Sequence, residues 1–144
     1  MQVTIADLTG KESGEIAITA AEGGIGYWSQ IQPDPGYKYT RWMPDNPDGS
    51  LGDAIEVPDD FVFYRIAPLN DDEDGYDEDK TIEVTPALIK RGFEVGYNAP
   101  RDKGGWMVQA LVAGTSREDW TSEIDSEGAD MLIQFGAFGE LVWG

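Results

Sequence analysis

Ser126–Gly144 reads SEGADMLIQFGAFGELVWG, and the periodicity of this stretch decides the fold class. At about 100° per residue, Ala129, Leu132, Ile133, Gly136 and Ala137 share one face, with the spacing of an amphipathic helix. Met131, Phe135 and Phe138 fall on the other side, leaving a narrow polar sector around Asp130 and Gln134. A helix apolar almost all round is buried on several sides. Asp125 or Ser126 caps its start, and Glu127 complements the helix dipole in the first turn. Gly139 is a natural stop, after which Glu140–Trp143 reads as a short terminal strand.

Outward from that helix, 144 residues predict a single globular domain over 1–144. Five Trp, six Tyr and five Phe supply a core despite the charge. The absence of Cys excludes disulfides and thiolate metal sites, and the absence of His excludes imidazole catalysis. The opening MQVTIADLTG has no basic region and no apolar run, so neither a signal peptide nor a membrane span is expected. A cytoplasmic protein is the expectation. The net charge of −18, from 28 acids against 10 bases, disfavours direct contact with nucleic acid or anionic membranes and favours basic protein surfaces. Solubility alone accounts for such a charge, and so does mimicry of nucleic acid on a DNA-binding protein.

From the N-terminus, Thr9 and Glu12 have capping-box spacing, and Gly23-Gly24 stop the helix that follows. Ile25–Ile31 alternates as a strand, Pro33–Gly36 is a turn, and Tyr37–Met43 alternates again, predicting a hairpin over 25–43. Residues 44–58 form a loop, and Phe61–Ala67 is a strand. An acidic loop covers 70–80, and a short strand covers 81–84. Thr85-Pro86 opens a helix through Tyr97 with Leu88, Ile89, Phe93 and Gly96 inward, and another helix spans 106–113. The architecture expected is α+β: a small antiparallel sheet, built from the hairpin 25–43 and the strand 61–67, covered by three or four helices.

Three stretches have the residue types for chemistry. Asn70, Asp72, Asp74 and Gly75 match the start of an EF-hand loop, but the twelfth position is Thr81 where a bidentate Glu is needed. A solvated acidic loop is the simpler account, and no metal or other cofactor is expected. Gly23-Gly24-Ile25-Gly26-Tyr27-Trp28 offers flexible backbone and aromatic faces to a ligand, or equally a helix stop followed by core aromatics. Lys38, Tyr39, Arg41 and Trp42, with Lys90, Arg91, Arg101 and Lys103, gather cations fit for a phosphate, or simply exposed polarity. A Ser/His/Asp or Cys/His set is impossible here, and no P-loop or nucleophile elbow occurs, so an enzyme is not expected.

The segments GGIGYW (23–28), TPALIKRG (85–92) and ADMLIQFGAFGELVWG (129–144) resemble a family of small acidic proteins from actinobacterial phages and their hosts. Its pattern closes with Asp130, Gln134, Phe138, Gly139, Glu140, Val142 and Gly144, and Trp143 stands where the family has Tyr. The family brings no activity, so no catalytic or binding residue is carried over from it. What the resemblance implies is a phage accessory protein in the host cytoplasm. The expectation is a non-enzymatic binding protein for host interaction or counter-defence, which sequesters a nucleotide-like signal or a host protein. Tyr27, Trp28, Tyr39, Arg41 and Trp42 are the candidate ligand-binding residues. The rival readings are an acidic nucleic-acid mimic, and a structural homo-oligomer in which the last helix and Trp143 form a homodimer contact.

Overall fold

The computed structural model describes residues 8–32, 42–50, 52–69, 75–113, 121 and 124–143. The fold is α+β, with a three-stranded antiparallel sheet and four α-helices among the described residues. Helix α1 spans Gly10–Thr19 and continues into a π turn at Ala20–Gly24. Its start is a complete capping box: Glu12 N–H donates to the Thr9 hydroxyl, and Thr9 N–H donates to the Glu12 carboxylate. The wider turn closes when Ile25 N–H reaches Ala20 O at 3.1 Å.

The sheet order is β1 (Ser29–Gln32), β2 (Tyr64–Pro68) and β3 (Ile82–Val84). β1 opposes β2 from Ser29↔Pro68 to Gln32↔Arg65, and Tyr64 of β2 lies opposite Val84. β1 begins four residues later than its alternation suggests, because Ile25 O accepts from Trp28 N and Ser29 N and bends the chain there. The turn and most of the return strand of the expected hairpin, residues 33–41, lie outside the described residues. Its last two residues, Trp42 and Met43, are buried in a turn. The expected strand at 61–67 is displaced to Tyr64–Pro68.

Helix α2 (Pro86–Tyr97) begins as its sequence suggests, with the Thr85 hydroxyl accepting from Leu88 N–H and Pro86 in the first turn. Helix α3 (Gly105–Ala113) follows a 3-10 turn at Arg101–Lys103. Helix α4 (Ser126–Phe138) is capped by Asp125, which accepts from Gly128 N–H, and stops at Gly139 with φ 78°. α4 packs most extensively on α2 and on the π turn. Two glycines let α2 and α4 cross at backbone distance. A Cβ on Gly92 would lie 2.0 Å from Leu132 O, and one on Gly136 would lie 2.2 Å from Leu88 O.

Met131, Leu132, Ile133 and Phe135 of α4 are all buried, as are Asp130 and Gln134. The last helix is therefore enclosed on its polar side as well. Residues 140–143 are not in a strand. The cause is local: the backbone partners a strand would find in a neighbour are supplied by one side chain of α4, as follows.

Candidate functional site

Two polar residues one turn apart on α4 organise this end of the molecule. Asp130, only 5% exposed, accepts three hydrogen bonds from neutral donors. Tyr27 Oη donates to Oδ2 at 2.7 Å, Trp28 Nε1 to Oδ1 at 2.7 Å, and Gln134 Nε2 to Oδ1 at 3.0 Å. Gln134, fully buried, turns its other groups to the C-terminal segment. Its Oε1 accepts from Val142 N at 2.8 Å and Trp143 N at 2.9 Å, while Nε2 donates to Trp143 O at 3.0 Å. A buried amide matched this fully holds a segment much as a strand ladder does.

Aromatic packing completes the clamp. The Trp143 ring stacks on Trp28 with centroids 4.8 Å apart and planes 9° from parallel. Phe138 meets Trp28 and Trp143 edge-on at 5.7 and 5.5 Å. The GGIGYW segment and the C-terminal segment thus pack against each other through Asp130 and Gln134. Gly24 makes the approach possible, since a Cβ there would sit 2.5 Å from Ser126 O.

An open groove of about 420 Å³ lies over this clamp, between the π turn, the start of α3 and the start of α4. Tyr27, Met107, Met131 and Trp143 give it aromatic and thioether walls, and Glu127 and Asp130 give it carboxylates. It has no lysine or arginine among its described lining residues. Tyr27 is 53% exposed, yet its hydroxyl is fixed on Asp130. Burial of that hydroxyl, its hydrogen bond to Asp130 and the negative charge beside it push the phenol up to about 12. Tyr27 therefore stays a neutral donor across the physiological range, with its ring held as a wall. Such a site suits a cation lying against aromatic faces, and disfavours a phosphate.

Of the sequence-derived site residues, the described ones, Tyr27, Trp28 and Trp42, do not converge on one surface. Tyr27 lines the groove. Trp28 is fully buried beneath Trp143 and supports the wall from inside. Trp42 is fully buried elsewhere, its Nε1 donating to Gly14 O at 3.1 Å and its ring 5.0 Å from that of Phe63, so it belongs to the core. Tyr39 and Arg41 lie outside the described residues. Glu127, Asp130 and Gln134 were not singled out for function. Asp130 and Gln134 carry a signal as a polar pair at i, i+4 on the apolar part of the helix, and both are positions of the resembled pattern, whereas Glu127 reads only as a first-turn acid. Among the described residues no group of acidic side chains is placed to hold a metal ion, and Asn70, Asp72 and Asp74 of the acidic loop fall outside them.

No helix among the described residues is long and apolar enough to cross a membrane. Comparison of the chain with protein-family models, curated proteins and solved structures returns no match.

Proposed function

We propose that this chain is a non-enzymatic binding protein that engages a basic surface of a protein partner, with the groove at the start of α4 receiving a lysine or arginine side chain. The observation that carries the reading is the groove's composition: aromatic faces, the exposed carboxylate of Glu127 and the buried negative charge of Asp130 beneath, with no base among its described lining residues. The whole chain has the same sign. If each of the 10 bases paired with one acid, 18 of the 28 acids would remain to attract a cationic partner. Of the two occupants considered from the sequence, the protein fits this site better than a nucleotide, whose phosphates would face Glu127 and Asp130. The likeness to phage proteins supports a host protein as the partner, and counter-defence in the host cytoplasm as the setting. A nucleic-acid mimic is one form of this reading, in which the partner is a DNA-binding protein and DNA competes for it.

The reading is tested by titrating the labelled protein with an arginine-rich peptide and, separately, with adenosine triphosphate, following backbone amide shifts. The peptide is expected to move Gly24, Tyr27, Glu127 and Trp143, with binding that weakens as salt rises. Glu127→Lys is expected to weaken the peptide by about tenfold, because it sets like charges together in the groove. Saturable shifts with the nucleotide and none with the peptide would reverse the assignment.

A further inference from the structure

The groove at the start of α4 holds negative charge whose acceptors are already in use. Both oxygens of the Asp130 carboxylate are engaged, Oδ1 by Trp28 and Gln134 and Oδ2 by Tyr27. The Tyr27 hydroxyl donates to Asp130 and also accepts from Gln134 Nε2 at 3.3 Å. The Gly104 carbonyl accepts from Met107 N and Val108 N. Among the described lining residues, the carboxylate left open to a new partner is that of Glu127, which is exposed. This arrangement separates one cation from another. A guanidinium brings five N–H donors and a lysine ammonium three, all of them hydrated before entry. One exposed carboxylate matches few of these, and every donor left unmatched out of water costs free energy. A quaternary ammonium keeps the positive charge and has no donor to satisfy.

We propose, resting on the reading of the groove as a cation site, that it receives the trimethylated ammonium of a modified lysine on the protein partner, with Tyr27 and Trp143 as its aromatic walls and the charge of Asp130 beneath. The walls suit methyl groups. The Tyr27 ring is half in solvent, yet its hydroxyl is anchored on Asp130, so the ring is held in place before a ligand arrives. One face of Trp143 is taken by the stacked Trp28, which leaves the opposite face and the rim for the groove. Met107 and Met131 add polarisable thioethers that adapt to an apolar surface. The buried charge of Asp130 attracts the cation through surroundings of low dielectric without asking it for a hydrogen bond. A lysine side chain is selected over a free small cation by the rest of the molecule. The groove is open, so a chain can leave it, and a surface of net charge −18 attracts the basic residues flanking a modified lysine.

Isothermal titration of the full chain with a set of basic peptides tests this, the peptides differing only at one central residue. That residue is lysine, trimethyllysine, arginine, or the neutral isostere in which a tert-butyl carbon replaces the trimethylated nitrogen. Trimethyllysine is expected to bind about tenfold more tightly than lysine, arginine or the neutral isostere. Tyr27→Leu, checked for folding by circular dichroism, is expected to abolish that preference. Glu127→Gln is expected to weaken all the charged peptides alike and to leave the preference intact. Lysine or arginine binding as tightly as trimethyllysine overturns the proposal while the groove remains a cation site. No binding by any peptide overturns the cation site itself. A neutral isostere equal to trimethyllysine would make the groove merely apolar. Tetramethylammonium chloride is expected to bind far more weakly than the trimethylated peptide, and equal affinity would assign the site to a free small cation instead.

Discussion

Asp130 shows how one side chain can hold distant parts of a chain together. Its carboxylate collects Tyr27, Trp28 and Gln134, and Gln134 in turn holds Val142 and Trp143. Asp130→Ala would leave a buried indole N–H and an amide without their acceptor, at a cost of about 3 kcal/mol. Urea unfolding is expected to show that loss, and a stability equal to wild type would mean the three bonds contribute little. Tyr27 offers a second check at the same scale. Its phenol binds its proton more tightly when folded than the ordinary value of 10.0 allows. The associated stability is thus complete below the unfolded value and is lost as pH rises through about 12. In an ultraviolet titration of the folded protein, Tyr27 should ionise late, and Tyr27→Phe should remove its contribution to the late step. An unchanged curve would place the Tyr27 hydroxyl in solvent.

Among elements, the crossing of α2 and α4 has the strictest geometric requirement. Gly136→Ala gains about 1 kcal/mol of helix propensity. The new methyl would nevertheless stand 2.2 Å from Leu88 O, so the helices must separate, and overpacking of this kind costs about 1–3 kcal/mol or more. Net destabilisation is expected, while Gly26→Ala, with nothing within 4 Å of its Cβ, should be near neutral. Thermal melts of the two variants decide it, and equal melting temperatures would show that the crossing is loose. The elements also show what was legible beforehand. Thr9 with Glu12, Thr85 with Pro86, and Asp125 with Gly139 mark helix ends by chemistry local to each end, and the helices start and stop there. Pairing is not local. Nothing near Ser29–Gln32 indicates that its partner is Tyr64–Pro68. Leu141–Trp143 has the composition of a strand, but its ladder is replaced by the amide of Gln134. Periodicity placed Asp130 and Gln134 on one sector without revealing that a C-terminal segment covers it. The candidate site was therefore only partly legible, through Tyr27 and the glycines beside it. Trp42, by alternation a plausible ligand face, is enclosed by Gly14, Phe63 and Tyr64.

For the molecule as a whole, charge and shape point the same way. A net charge of −18 attracts cationic surfaces over a long range that salt shortens, and the groove adds the exposed carboxylate of Glu127 beside Tyr27 and Trp143. The most direct test of the binding account is native mass spectrometry of the chain isolated gently from the cells that express it, alongside Glu127→Lys prepared identically. The expected result is a basic protein bound to the wild type, released as salt is raised and depleted about tenfold from the variant. A small phosphate-bearing mass held equally by both proteins, or a partner that resists salt and ignores the substitution, would contradict it.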